Sequence, residues 1–410
     1  MNHNRQIKNR ALLLVAVVLA LTTVTRLLRA DTGSCGGAML TLPFSDVPSN
    51  NGFFCAIAEA YFTGLTNGTS ATDYTPSSTV TREQMAAFIT RTLDQSLKRG
   101  NRRAVLQQWW TPTLTAALRP VELGAATGKV VYDGSDLWVV VGFLMVSRIE
   151  ASSGRVSQIW SIGAAGPPNP SDVIAAAGRI YILATNSSGP GRIYRINPEA
   201  TVGGSATLFE SDLGVLPVDI TFDGTNLWTA NTGGGELVGT ISRVRVSDAQ
   251  DATFSTGFDR PRSILWDGAA LWVLDSGDDM LKEVNPATGA VISTLSVPDD
   301  PREMIFDGTN LWISSTAGSI TLVRAVGALR GTVVQTITGN GLNGCSGLGF
   351  DGERVLVANE SGDSVSLFKA ADFTPLGSLS TGANSTPRAV CSDGVNFWIT
   401  RHDSDDIVRF

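Results

Sequence analysis

The seven residues Phe222-Asp-Gly-Thr-Asn-Leu-Trp228 return unchanged at Phe306-Asp-Gly-Thr-Asn-Leu-Trp312, and with drift at Tyr132-Asp-Gly-Ser-Asp-Leu-Trp138 and Trp266-Asp-Gly-Ala-Ala-Leu-Trp272. Degenerate copies stand at Phe350-Asp-Gly-Glu-Arg-Val-Leu356 and Ser392-Asp-Gly-Val-Asn-Phe-Trp398, and an eroded one at Ala177-Gly-Arg-Ile-Tyr181, bringing the count to seven. With the Asp-Gly turn as marker, the copies fall at Asp133, Ala177, Asp223, Asp267, Asp307, Asp351 and Asp393, separated by 44, 46, 44, 40, 44 and 42 residues. A self-similar period of this length is the signature of repeated blades, each a sheet of four short strands.

Within each unit an apolar strand runs into Asp-Gly, a tight turn leads to an alternating strand such as Leu271-Trp-Val-Leu274, and a hairpin rich in Gly, Asp and Ser follows. A third strand such as Leu281-Lys-Glu-Val284, the turn Asn285-Pro-Ala-Thr-Gly289 and an outer strand Ala290 to Val297 complete the unit. The last unit reaches only its third strand at Ile407-Val-Arg-Phe410, and its fourth is expected from Val121-Glu-Leu123. A blade assembled from both ends of the array closes the ring and removes the open sheet edge. The expected fold is mainly β, a seven-bladed β-propeller over residues 118–410 preceded by a small α-helical module. Trp138, Trp228, Trp272, Trp312 and Trp398 keep one place beside the turn, which points to packing between blades rather than to a sugar-stacking set.

The 410 residues carry 31 Lys and Arg against 38 Asp and Glu, a net charge of −7. Arg5, Lys8 and Arg10 precede an apolar run from Ala11 to Leu21, and Leu28-Arg29-Ala30 precedes Asp31, so residues 1–30 read as a secretory signal peptide. An uncleaved anchor is the alternative, although the run is shorter than the roughly 20 residues of a spanning helix. Without this leader, which holds five basic and no acidic residues, the charge becomes −12. That speaks against nucleic-acid binding, which needs a basic footprint. In an exported chain four cysteines can oxidise, and one bridge per domain is the economical pairing: Cys35 with Cys55 and Cys345 with Cys391.

After an N-terminal segment over 31–43, residues 44–97 read as a short helix-rich module. Phe54, Ile57, Ala58, Tyr61 and Phe62 share one helical face, and a second helix starts at Thr81, whose hydroxyl and Gln84 form a capping box ahead of Met85, Phe88, Ile89 and Leu93. In order, Phe44-Ser-Asp-Val-Pro48, the helix Ala56 to Phe62, Gly64-Leu-Thr-Asn-Gly68 and Thr81-Arg-Glu-Gln-Met-Ala-Ala-Phe88 resemble one S-layer homology motif. Members of that family hold secreted proteins non-covalently on cell-wall polysaccharide or peptidoglycan. The resemblance places the polymer-contacting pair on Thr81 and Arg82; capping and surface exposure account for the same residues without a ligand. Such motifs usually pack in threes and this chain shows one, so the resemblance implies a homotrimer, a weak binder or a packing module. Lys98-Arg-Gly-Asn-Arg-Arg103 and Trp109-Trp110 mark a basic and aromatic linker over 98–117.

Residues from about Leu118 to Phe410 resemble the extracellular seven-bladed propellers with YVTN or NHL-type repeats, including the virginiamycin B lyase-like proteins, the turn phrase being the main carrier. The resemblance implies fold far more than activity. Propeller ligands meet the mouth of the central channel, and there Pro261-Arg262, Pro301-Arg302 and Pro387-Arg388 each set an Arg five residues before a marker Asp. A funnel of three guanidinium groups suits a carboxylate, phosphate or sulfate, a uronic-acid glycan among them. The competing reading makes Pro-Arg a feature of the repeat, each Arg paired with an acid such as Asp219 or Glu303. Asn231, Asp275, Asp278, Asp279, Asn359 and Asp363 in hairpin tips would suit calcium, but turn chemistry explains them equally, and no resident cofactor is expected.

Only two histidines occur, His3 in the leader and His402 in an expected exposed hairpin tip. The lyase relatives use a histidine with a bound metal, and no earlier blade offers a match. Nucleophile-elbow and phosphate-loop motifs are missing too. The expectation is thus an exported, cell-surface protein with an S-layer homology anchor and a propeller that binds rather than catalyses. Two alternatives stand beside it: a propeller hydrolase or lyase acting on a glycan or lactone, with Asp219 or Glu303 as acid/base, and a structural envelope component that assembles through residues 44–97.

Overall fold

The computed structural model describes residues 31–35, 38–62, 66, 68–70, 72–81, 85, 119–163, 169–186, 189–234 and 238–410. The expected leader, Arg82, most of the second helix and the basic linker lie outside the described residues. The chain forms two compact units, divided between Gly100 and Asn101.

In the first unit, strands β1 (Thr32–Cys35) and β2 (Ala38–Thr41) pair antiparallel, with Thr32 opposite Thr41. Helix α1 spans Phe54–Phe62, and Asn51 Oδ1 accepts the Phe53 N–H at 2.8 Å just ahead of it. Its face buries Phe54, Ile57 and Ala58 against Leu42, Phe44 and Val47. The residues before 44, expected as a separate segment, therefore share this core, because the hairpin needs the helix to cover its apolar side. A Cys35–Cys55 disulfide, Cα–Cα 5.5 Å, ties hairpin to helix. Asp46 accepts the N–H groups of Tyr74 at 2.9 Å and Thr75 at 2.6 Å, folding the polar loop back onto Phe44. The Thr81 carbonyl accepts the Met85 N–H at 2.9 Å, the spacing of one helical turn.

The second unit is a seven-bladed β-propeller of four-stranded antiparallel sheets. Blades 1 to 6 are continuous in sequence and begin at Thr127, Asn169, Pro217, Pro261, Pro301 and Cys345. Blade 7 takes three strands from Pro387–Arg409 and its outer strand from Arg119–Glu122, with Val121 opposite Ile407. The expected closure by the two ends of the array is thus present.

The repeated phrase makes one local device. In blade 3, Asp223 Oδ1 accepts the N–H groups of Thr225 and Asn226 at 2.8 and 2.6 Å, which shapes the turn, while Oδ2 accepts the Trp228 indole N–H at 2.7 Å. The same Asp–indole bond recurs for Trp138, Trp272, Trp312 and Trp398 at 2.7–2.8 Å. These five rings are completely or almost completely buried. Each packs against the next blade: Trp228 meets Ile264, Leu271 and Val273, and Trp398 meets Leu137 and Val139 across the closure. At about 25 cal/mol per Å² and 150–250 Å² per indole, each contributes on the order of 4–6 kcal/mol. Arginines then cover the rings and reach the neighbouring blade. Arg148 lies 5.3 Å from the Trp138 centroid and donates to the Pro198 carbonyl, and Arg243 repeats this with Trp228 and Pro286. Blade 2 keeps the turn with Ala177 at φ 47° and replaces indole by Tyr181.

One expected pairing does not form: Cys345 and Cys391 are free thiols. Cys345 opens the inner strand Cys345–Phe350 of blade 6, whereas Cys391 is fifth in the inner strand Pro387–Ser392 of blade 7. Four residues of strand put them about 13 Å apart along the ring wall, beyond the roughly 7 Å limit of a disulfide's Cα–Cα span.

Candidate functional site

Every inner strand breaks register near its start. The shifts fall between Thr127 and Val130, Pro170 and Asp172, Pro217 and Asp219, Pro261 and Ser263, Pro301 and Met304, Cys345 and Leu348, and Pro387 and Val390. A bulge swings the side chain at the shift out of the pleat. The first residue inside each shift, Gly128, Ser171, Val218, Arg262, Arg302, Ser346 and Arg388, lines one cavity of about 640 Å³ at the channel mouth, the glycine through its backbone. The volume lies within the range of small-molecule sites.

Hairpin acids set the approach to each arginine. Asp275 accepts the N–H groups of Asp259 and Arg260 at 2.8 and 2.7 Å, fixing the segment before Arg262. Asp279 accepts the Asp300 N–H at 3.1 Å before Arg302. Asp363 accepts those of Asn384, Ser385 and Thr386 at 2.6, 2.9 and 3.0 Å before Arg388. The Thr386 amide, with its neighbours, holds the Asp363 carboxyl below its usual range. Asp300 and Thr386 sit in the left-handed region at φ 52° and 49°, a conformation that Asp visits readily but that the β-branched threonine adopts only when held. Asp278 pairs with Lys282 at 2.6 Å, Asn231 bonds Thr240 and Ser242, and Asn359 bonds Ser364 and Ser366. The side chains weighed for calcium are engaged in shaping the rim, and among the described residues no group of three His, Cys, Asp or Glu is close enough to hold a metal ion.

Inside the cavity the ion pairs differ from the expected ones. Arg302 and Arg388 both turn to Glu360, at 3.6 and 3.2 Å, and Arg262 makes no ion pair with a described residue. Burial, then the charge of Arg302, lowers the proton affinity of Arg262. Glu303 instead meets Lys129 from blade 1 at 2.5 Å, across the channel. Burial raises the Glu303 carboxyl above its usual range, with Lys129 opposing. Asp219 holds the next blade, accepting the Ile264 N–H at 2.8 Å, as Asp172 accepts that of Ile220 at 3.1 Å. Burial pushes the Asp172 carboxyl up, against the pull of Lys129.

His402 lines the cavity rather than standing free at a tip, its side chain 27% exposed. Its Nδ1 lies 3.0 Å from the Thr127 carbonyl; a carbonyl only accepts, so Nδ1 is the donor there, and Nε2 lies 3.9 Å from the Asp403 carboxylate. Lys129, Phe143 and Glu360 escaped the sequence reading because none belongs to a repeated phrase, and His402 was read as exposed for the same reason. Their shared signal was position, in inner-strand starts and second-to-third-strand hairpins that form the same end of a propeller.

Thr81 belongs to the first unit and has no part in this cavity. In comparisons with known proteins, no family model matches the chain and no curated protein matches it.

Proposed function

We propose that the chain is an exported envelope protein, retained at the cell wall by an S-layer homology-type module in its first unit, and that its propeller, of the YVTN or NHL kind, offers the cationic cup to an acidic ligand. Charge placement carries the reading. Among the described residues lining the cup, Lys129, Arg262, Arg302 and Arg388 stand with two acids, Glu303 and Glu360; Asp172 and Asp219 also act on Lys129, so the spare positive charge belongs to the three arginines, in a chain whose net charge is −7. Arg302 and Arg388 share the Glu360 carboxylate and Arg262 makes no ion pair with a described residue, which leaves directed donors in a concave site. Carboxylate, phosphate and sulfate are the chemistries that match them. The wall assignment rests on the apolar leader and on the succession of S-layer-like segments from Phe44 to Phe88, which carry Thr81 and Arg82.

Co-sedimentation of the full-length protein with isolated wall sacculi, with and without competing salt, tests the anchor. Retention that Arg82→Ala weakens supports it, and no retention refutes it. Retention lost only in the R262Q/R302Q/R388Q variant would transfer wall binding to the propeller. For the cup, that triple variant should lose trigalacturonate or inorganic phosphate while keeping its circular dichroism, and unchanged binding removes the acidic-ligand reading.

A second reading, turnover of a glycan or lactone, draws on Glu303 and His402 lining the same cup. A substrate screen with Glu303→Gln as control decides it, and the absence of turnover in wild type counts against it.

A further inference from the structure

The walls of the cup differ. Its arginines all come from the arc of blades 4 to 7, with Arg262, Arg302 and Arg388 beside Glu360, whereas the arc of blades 1 to 3 facing them gives Ala126, Val140, Phe143, Pro170 and Val218 with the polar Asn169 and Ser171, and one charge, Lys129, which is paired with Glu303. The hairpin of blade 1 makes this difference sharper. Its tip reads Gly142-Phe-Leu144, while the corresponding described tips read Ser276-Gly-Asp-Asp279, Thr316-Ala-Gly318, Glu360-Ser-Gly-Asp363 and His402-Asp-Ser-Asp405. Gly142 turns through φ 56°, which leaves Phe143 at the cavity edge with 75% of its surface in solvent, and Leu144 and Met145 at 39% and 38%. Successive exposed apolar residues are unusual at a solvated hairpin tip, and here Phe143 lines a site with cationic donors.

From this we infer that the cup takes an amphiphilic anion of small-molecule size. Its acidic group sits among Arg262, Arg302 and Arg388, and its apolar or aromatic body lies on Phe143, Ala126 and Pro170. The inference rests on the acidic-ligand reading above and narrows it. A cavity of about 640 Å³ has room for both parts of such a molecule, and the two arcs then act on different atoms. The arginines select charge and orient the ligand, and the apolar arc adds affinity in proportion to the area it covers. A fully hydroxylated uronate offers the arginines the same carboxylate and gives Phe143 less apolar surface to cover.

Isothermal titration of the full-length protein with acetate, 4-phenylbutyrate and trigalacturonate separates the ideas. Phenylbutyrate should bind at least about tenfold more tightly than acetate, a difference of about 1.4 kcal/mol. Phe143→Ser, at a position too exposed to affect folding, should remove most of that factor and leave acetate unchanged, while Arg262→Gln should weaken both. If phenylbutyrate gains nothing over acetate, if Phe143→Ser does not alter its affinity, or if trigalacturonate binds more tightly, the inference is overturned and the acidic-ligand reading stands. If none of the three anions binds, both fall.

Discussion

Replacing Asp223 by Asn removes one charge and no volume, and it tests whether the repeated Asp–Trp device stabilises the blades. The wild-type carboxylate accepts on both oxygens: Oδ1 from the amides of Thr225 and Asn226, Oδ2 from the Trp228 indole at 2.7 Å and the Asn226 side chain at 3.0 Å. An asparagine has one acceptor oxygen, so its amide nitrogen must face either the turn amides or the indole, donor against donor. The indole is fully buried and has no water to turn to. One buried donor left unpaired costs about 1–3 kcal/mol, and the remaining bonds lose their charge assistance. Because Asp223 itself is half-buried, the expected total is about 2–3 kcal/mol. Trp228→Phe removes the donor, so in that background Asp223→Asn should cost less, giving a coupling of about 1–2 kcal/mol in a double-mutant cycle. Urea denaturation followed by far-UV circular dichroism measures all four proteins. The pH dependence has a definite sign. Burial alone would raise the Asp223 carboxyl, but bonds from Asn226 and Trp228 outweigh it and lower the folded value below 3.8. The unfolded chain therefore binds the proton first, so the contribution is complete above about pH 5 and is lost as pH falls through the folded value. The gap between wild type and Asp223→Asn should narrow in acid. A coupling below about 0.5 kcal/mol, or a gap independent of pH, would refute the reasoning.

Glu303→Gln leaves Lys129 without its partner across the channel and should destabilise by about 2 kcal/mol, less than for a fully buried pair because both ends retain some solvent; removing both charges as Lys129→Met with Glu303→Met should recover most of the loss by thermal unfolding. Thiol titration should find Cys345 and Cys391 almost unreactive in the native protein, since burial pushes the Cys345 thiol up to about 11 and that of Cys391 higher still. Unfolding without reductant should release two thiols per chain, and finding none would reinstate the bridge. A chain starting at residue 126 lacks the outer strand of blade 7, so it should melt well below one starting at residue 118 and associate through the bared Asp406–Arg409 edge; equal melting of the two would show that the strand does not close the ring.

Much of this architecture is written locally. Asp-Gly makes its turn by itself, the residue five places after the Asp carries the ring that fills the blade interface, and the interval between copies sets the number of strands, so blade count, the role of Trp138 to Trp398 and the closure by Val121 follow from order along the chain. The helix at Phe54–Phe62 is legible for the same reason, its apolar residues lying on one face. The three arginines are legible as a set because each follows a proline at one repeat position. Their partners are not: Glu360 serves Arg302 and Arg388 from a different hairpin, and Lys129 meets Glu303 from 174 positions away. Such pairings arise only when the ring closes. The free state of Cys345 and Cys391 and the place of His402 are likewise decided by where the closed ring puts them. The sequence by itself determined what repeats, because a repeated local interaction is encoded each time it occurs. The tertiary structure alone decided which single residues, Phe143, Glu360 and His402 among them, meet at the mouth.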